Sequence, residues 1–279
     1  MVAAPVDTVR TQIARELQVA AAFDVRTEIE RRVAFLADAL ISNGQAALVL
    51  AVSGGIDSTT AGALCRLAVE RVRAGGRPAA FVAMRLPYGI QHDEHDARAA
   101  LEFIAPDETL TVDVQPSSDA CLSALRAGRF TFADALAQDF IHGNIKARQR
   151  MVIQYAVAAA RSGLVVGTDH AAEAVTGFFT KYGDGAADVV PLTGLTKRRV
   201  RAIAAALGAP ESLVHKTPTA DLETLAPGRT DEEALGLAYD DIDDFLEGNP
   251  VPPATADAII SRFRGTAHKR QLPVAPPIS

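Results

Sequence analysis

Cysteine is scarce in this chain, with only Cys65 and Cys121 among 279 residues. The two form no metal-ligand spacing and no paired pattern, which excludes a disulfide framework and suits a reducing compartment. The start, MVAAPVDTVRTQIARE, lacks the basic-then-apolar layout of a signal peptide. Long hydrophobic runs are missing too. Met151–Ala160, the longest near the middle, is bounded by Arg150 and Arg161 and is too short to span a bilayer. There is no excess of positive charge: 28 Lys and Arg against 34 Asp and Glu leave a net charge of −6. That excludes bulk nucleic-acid binding but allows a local basic pocket. These absences predict a soluble cytoplasmic protein with no membrane or nucleic-acid partner. Two common nucleotide motifs are also absent. Without GxGxxG a Rossmann dinucleotide site is disfavoured, and without GxxxxGK[ST] there is no P-loop lysine.

What is present begins with hydrophobic content of 48%, enough for a substantial core in one large domain, 1–279, with 273–279 as a loose tail. The central stretch is Leu48–Ser58, LVLAVSGGIDS. Five apolar residues run to Val52, the chain turns at Ser53-Gly54-Gly55, and Asp57 and Ser58 open a helix over 57–73. This order reads as a buried parallel strand feeding a helix N-terminus. Glycines permit close backbone approach, and the free N–H groups of a helix start attract anions. The loop is therefore a candidate phosphate cradle.

The remaining pattern predicts helices over 7–22 and 25–43, with Ile29, Val33, Leu36, Ala37 and Leu40 on one face. Strands follow over 79–86, 109–114 and 164–167, with a helix over 93–103. A long helical region, 131–161, carries an expected break at His142-Gly143-Asn144. Helices are also expected over 196–207, 231–246 and 254–266, with a loop over 215–229. His92 and His95 lie among acids, but a solvated helix start explains them better than a metal. The βαβα order predicts an α/β fold: a doubly wound parallel sheet with flanking helices. Ligands in such sheets lie at the C-terminal strand ends. Residues 53–58, 85–90 and 168–173 should therefore border one crevice.

The SGGxDS loop resembles the pyrophosphate loop of N-type ATP pyrophosphatases, which have the adenine-nucleotide alpha-hydrolase-like fold. The segment Gly167–Asp188, GTDHAAEAVTGFFTKYGDGAAD, is more specific still. With GNIKARQRM (143–151), PLTGLTK (191–197), PTADLE (218–223) and His268-Lys269-Arg270, it resembles the ammonia-dependent NAD synthetases from about residue 7 to 272. The resemblance implies ATP-dependent amidation of deamido-NAD by ammonia through an adenylated intermediate, releasing AMP and pyrophosphate. It implies ATP contacts at Ala51, Val52, Ser53, Gly54, Gly55, Ile56, Asp57, Ser58, Thr168, Lys197 and Thr219. Mg²⁺ ligands would be Asp57 and Glu173. Arg148, Lys181, Asp188, His268 and Lys269 would meet deamido-NAD, and a homodimer would place that dinucleotide at the subunit interface through the 131–161 region. Lys197 and Asp184 are the catalytic candidates, Asp184 for binding or deprotonating ammonium. No glutaminase domain is expected, so free ammonia is the nitrogen source. Taken singly, Asp57 also reads as a helix cap, Glu173 as a solvated helix residue, and each basic residue as a surface charge. Another acceptor on the same fold and a non-catalytic adenine-nucleotide-binding module are the alternatives.

Overall fold

The strand before the glycine loop alternates its side chains in the way a sheet covered on both faces requires. In β1 (Ala47–Ala51), Leu48 and Leu50 face one core and Val49 the other. In β2 (Ala80–Arg85), Phe81 and Ala83 share the first face, while Val82 and Met84 share the second. The structure, a computed structural model, describes residues 6–89, 94–219, 222–226 and 228–276. Its elements begin with α1 (Val6–Glu16), α2 (Val25–Ser42) and β1, followed by α3 (Ile56–Ala74), β2, α4 (Glu94–Ile104) and β3 (Glu108–Thr111). Next come α5 (Gln115–Ala127), α6 (Ala135–Ala160), β4 (Gly163–Val165) and α7 (Ala171–Thr176). Then follow α8 (Lys197–Ala206), α9 (Glu211–Val214), α10 (Asp231–Leu235), α11 (Tyr239–Glu247), α12 (Pro253–Gly265) and α13 (Ala267–Arg270).

The four strands among the described residues pair in parallel in the order β3-β2-β1-β4. Helices α2, α3, α4 and α8 pack on one face, and α6 covers the other. The doubly wound α/β architecture is thus as the sequence predicts. Because β2 and β3 lie to one side of β1 and β4 to the other, the topological switch point falls between β1 and β4, where ligands of open α/β sheets bind. A second cluster is built from α1, α7, α11 and α12 around Tyr239 and Phe245. No helix among the described residues is long and apolar enough to cross a membrane.

Four local expectations are corrected. The region 131–161 is one uninterrupted helix from Ala135, capped by the Asp134 carboxylate, which accepts the Ala137 N–H at 2.7 Å. Gly143 does not break it. A Cβ there would meet the Leu222 side chain and backbone at 3.2–3.5 Å, so this glycine lets another segment lie against the helix. The single helix expected over 231–246 is two helices, because Gly236 ends α10 in the left-handed region (φ 63°). The first helix stops at Glu16 rather than continuing to residue 22. Finally, Arg85 does not line the crevice between the strand ends and is paired with the Glu94 carboxylate, with two contacts of 2.7 Å. His92, Ile90 and the last three residues of the tail lie outside the described residues.

Candidate functional site

The loop after β1 folds on its own hydroxyls. Ser53 Oγ accepts the Gly55 N–H at 3.2 Å, and Ser58 Oγ donates to the Gly55 carbonyl at 3.0 Å. Gly54 adopts φ +85°, and a Cβ on it would sit 2.5 Å from the Ala97 backbone nitrogen. Only glycine permits this close approach of α4. Helix α3 then starts behind Gly55 with no side-chain cap, so its first N–H groups stay available. Asp57 lies in the first turn of α3 and does not serve as the cap.

These residues border a crevice open to solvent. Its walls include Ala51, Val52, Ser53, Gly55, Ile56, Asp57 and Ser58 from the loop, Thr168 and Glu173 after β4, Lys197 at the start of α8, and Thr219. Of the eleven sequence-predicted ATP positions, only Gly54 is not among these walls, its missing side chain being what α4 packs against.

At the inner end, residues far apart in the chain meet. Lys197 is 1% exposed, and its ammonium donates to both Asp57 carboxylate oxygens at 2.8 and 3.0 Å. His170 Nε2 lies 3.3 Å from the same ammonium, 3.4 Å from Asp57 and 3.6 Å from Glu173. Lys197 is held there by the cap of its helix: Asp243 accepts the Lys197 and Arg198 backbone N–H groups at 3.0 and 2.7 Å. The Tyr239 ring centroid lies 4.9 Å from the Lys197 ammonium, and the Tyr239 hydroxyl donates to Asp231 at 3.1 Å.

Burial sets the protonation of this cluster, and charge partners modify it. Burial alone would raise the Asp57 carboxyl, but the Lys197 charge and the hydrogen bonds from Lys197 and the backbone together outweigh it and hold the group below the usual carboxylate range. Burial opposes the Lys197 charge, yet Asp57 and then Glu173 raise its affinity for the proton. Glu173 goes the other way, well above an ordinary glutamate, through burial and the neighbouring Asp57 charge. His170 is neutral, pushed down to about 3 by burial and then by Lys197. One carboxylate oxygen each from Asp57 and Glu173, with a His170 ring nitrogen, lie within 4.8 Å of one another. This set could hold a cation.

A second cavity, of about 810 Å³, shares Phe178, Asp184, Leu222 and Asp231 with the crevice and is also lined by Phe179, Asn144 and Lys269. Asp184 therefore stands where the two cavities join. Its carboxylate accepts the Thr180 N–H at 2.9 Å, and the protein around it raises its affinity for the proton. Asp169 has its carboxylate beside Gly185 and is pushed up to about 8 by burial, then by Asp184.

Four of the five predicted dinucleotide contacts converge beside this cavity. Arg148 donates to the Lys181 carbonyl at 3.2 Å, Lys181 to the His268 carbonyl at 2.5 Å, and Lys269 to the Gly177 and Phe179 carbonyls at 2.9 and 2.7 Å. Asp188 lies apart and lines neither cavity. Its carboxylate accepts the Val165 N–H at 2.7 Å, tying the loop to the edge of β4. Sequence reasoning did not single out His170, Asp169, Asp231 or Arg150. The first two had a local signal, since they sit directly after the β4 strand with Thr168. Asp231 and Arg150 had none.

The comparisons agree with one another. The sequence model of the family described as NAD synthase matches residues 28–273. The chain is 67% identical over 265 residues to the NH(3)-dependent NAD(+) synthetase of Streptomyces coelicolor, covering 95% of this chain and 96% of that one. It is 63% identical over 264 residues to the enzyme of the same name from Burkholderia pseudomallei, covering 95% and 93%. Among solved structures, NAD+ synthetase from Burkholderia pseudomallei superposes with a TM-score of 0.84 at 58% identity, over 97% of this chain and 99% of that one. NMN synthetase from Francisella tularensis gives 0.79 at 33% identity, over 92% and 100%.

Proposed function

The chain belongs to the NAD synthase family, and from that premise we propose that it amidates deamido-NAD with ammonia at the expense of ATP, forming NAD, AMP and pyrophosphate. The observation that carries this reading is the junction of two cavities, one bordered by the anion-binding loop and Lys197, the other lined by Lys269, with Arg148, Lys181 and His268 on the hydrogen-bonded segments beside it. ATP takes the crevice and deamido-NAD the second cavity. The nicotinate carboxylate attacks the α-phosphorus and expels pyrophosphate; ammonia then attacks the adenylated carbonyl and expels AMP. Adenylation is needed because oxide is a poor leaving group and AMP a good one.

The protein's share is placement and charge. The 53–58 loop and the start of α3 receive phosphate oxygens through backbone N–H groups. Lys197 offers its ammonium to the phosphoryl oxygens. Asp57 and Glu173 would hold Mg²⁺, a hard cation that favours carboxylate oxygens and keeps several waters. Their oxygens lie close enough together, and they come from separate elements, as such a site requires. When bound, the metal would neutralise phosphate charge. Asp184, at the junction, receives ammonium or its proton. Arg148, Lys181, His268 and Lys269 hold the dinucleotide.

A homodimer is supported by the start of α6. Leu136 and Phe140 lie one turn apart on one side of the helix and are 71% and 59% exposed. Large apolar side chains exposed side by side suit an interaction face. Phe140 and Asn144 also line the second cavity, so a partner seated there would stand beside the dinucleotide. The double variant Leu136→Asp/Phe140→Asp is expected to sediment as a monomer and to lose saturation by deamido-NAD. A monomeric wild-type chain with full activity would refute the dimer.

The reaction itself is tested with ¹⁵N-ammonium. The label should enter the carboxamide of NAD, with one AMP formed per NAD, and only when ATP and deamido-NAD are both supplied. AMP formed without labelled NAD would overturn the reading.

A further inference from the structure

We infer that Lys146, which lines neither cavity, is a positioning residue that ties the 86–89 segment and the 222–226 segment together across α6 and so holds the wall between the two substrate pockets. Lys146 is 3% exposed, deep in the middle of α6. Its ammonium donates to the Leu222 carbonyl at 2.9 Å and to Thr224 Oγ1 at 3.0 Å. The same ammonium sits 4.1 Å from the centroid of the Tyr88 ring. A desolvated cation at that distance from an aromatic face is strongly held.

Each segment has a second anchor on the same helical layer. The Tyr88 hydroxyl donates to the Asp119 carboxylate of α5 at 2.7 Å, and the Tyr88 and His142 rings stand nearly perpendicular with centroids 5.5 Å apart. On the other side, the Asp139 carboxylate accepts the Thr224 and Leu225 N–H groups at 3.0 and 2.8 Å. Gly143, one turn before Lys146, lets the Leu222 backbone lie directly on the helix. Leu222 is part of the walls of both cavities, and Leu86 lies on the crevice two residues before Tyr88. One ammonium thus clamps the residue that separates the pockets to the segment that borders one of them. Motion of either segment is felt by the other through Lys146.

The effect on substrate binding presupposes that the crevice takes ATP and the second cavity deamido-NAD; hydrogen exchange in the ligand-free protein does not. The amides to follow are Gly89, held by Asp113 at 3.0 Å, and Thr224 and Leu225. Lys146→Met keeps the alkyl stem and removes the charge. It is expected to speed exchange at all three amides about tenfold, as the loss of a charged hydrogen bond implies, and to raise KM for ATP and deamido-NAD together while kcat changes less than about threefold. Lys146→Arg should recover most of both effects. Tyr88→Leu leaves every hydrogen bond of 222–226 in place, yet should speed exchange at Thr224 and Leu225 by about threefold through the lost ring contact. This variant also serves if Lys146→Met fails to fold. Faster exchange in only one segment, or a Tyr88→Leu effect confined to Gly89, would overturn the coupling. Faster exchange in both segments with KM unchanged would overturn the positioning role.

Discussion

Lys197→Met is expected to lower kcat by about a thousandfold, the loss typical of removing a preorganised donor from developing charge. The methionine has nearly the same length and fills the same buried slot against Tyr239, so the crevice keeps its shape. What goes is the ammonium that donates to Asp57 and lies beside His170. The consequences reach beyond the phosphates. Asp57 loses the cation that holds it ionised, while burial still opposes its charge. Breaking a pair of this kind destabilises by about 3 kcal/mol or more, so the melting temperature falls as well. Rates measured well below the melt separate the two effects. A variant with turnover within tenfold of wild type would remove Lys197 from the reacting centre.

Asp184→Asn should divide the reaction in two. Asparagine retains an oxygen to accept the Thr180 N–H, so the 180–188 loop keeps its anchor. Pyrophosphate release in the first step is expected to continue near the wild-type rate. Capture of the adenylate by ammonia should slow by about a hundredfold or more, the usual contribution of a placed proton acceptor. Full ammonia-dependent turnover in this variant would end the role assigned to Asp184.

How far the sequence could be read follows the range of the interactions involved. The 48–58 stretch was legible because strand, turn and helix start are determined within eleven consecutive residues, and an unbroken apolar run marks a strand covered on both faces. The doubly wound order followed from the succession of such units. Gly143 was misread because its reason lies 79 positions away: Leu222 packs where a Cβ would be. Local propensity reads a mid-helix glycine as a break, and tertiary packing decides otherwise. Gly236 erred in the opposite sense, as a left-handed helix stop inside an otherwise periodic acidic run. The Asp57–Lys197–His170–Glu173 cluster shows the same division. Family motifs named three of its members, but nothing local in the sequence brings Lys197 onto Asp57. Capping by Asp243 and the placement of α8 on the sheet do so. Asp188 is a further case, since its acid side chain serves the β4 edge rather than either cavity.

The central claim, that the two cavities hold two substrates whose reacting groups meet at their junction, is tested most directly by pyrophosphate release in a single turnover of Mg²⁺-ATP. Deamido-NAD and ammonium would each be supplied or withheld. The expected result is no release with ATP alone, one pyrophosphate per site when deamido-NAD is added without ammonium, and NAD only once ammonium follows. Release from ATP that is indifferent to deamido-NAD, or release that requires ammonium from the outset, would contradict the account.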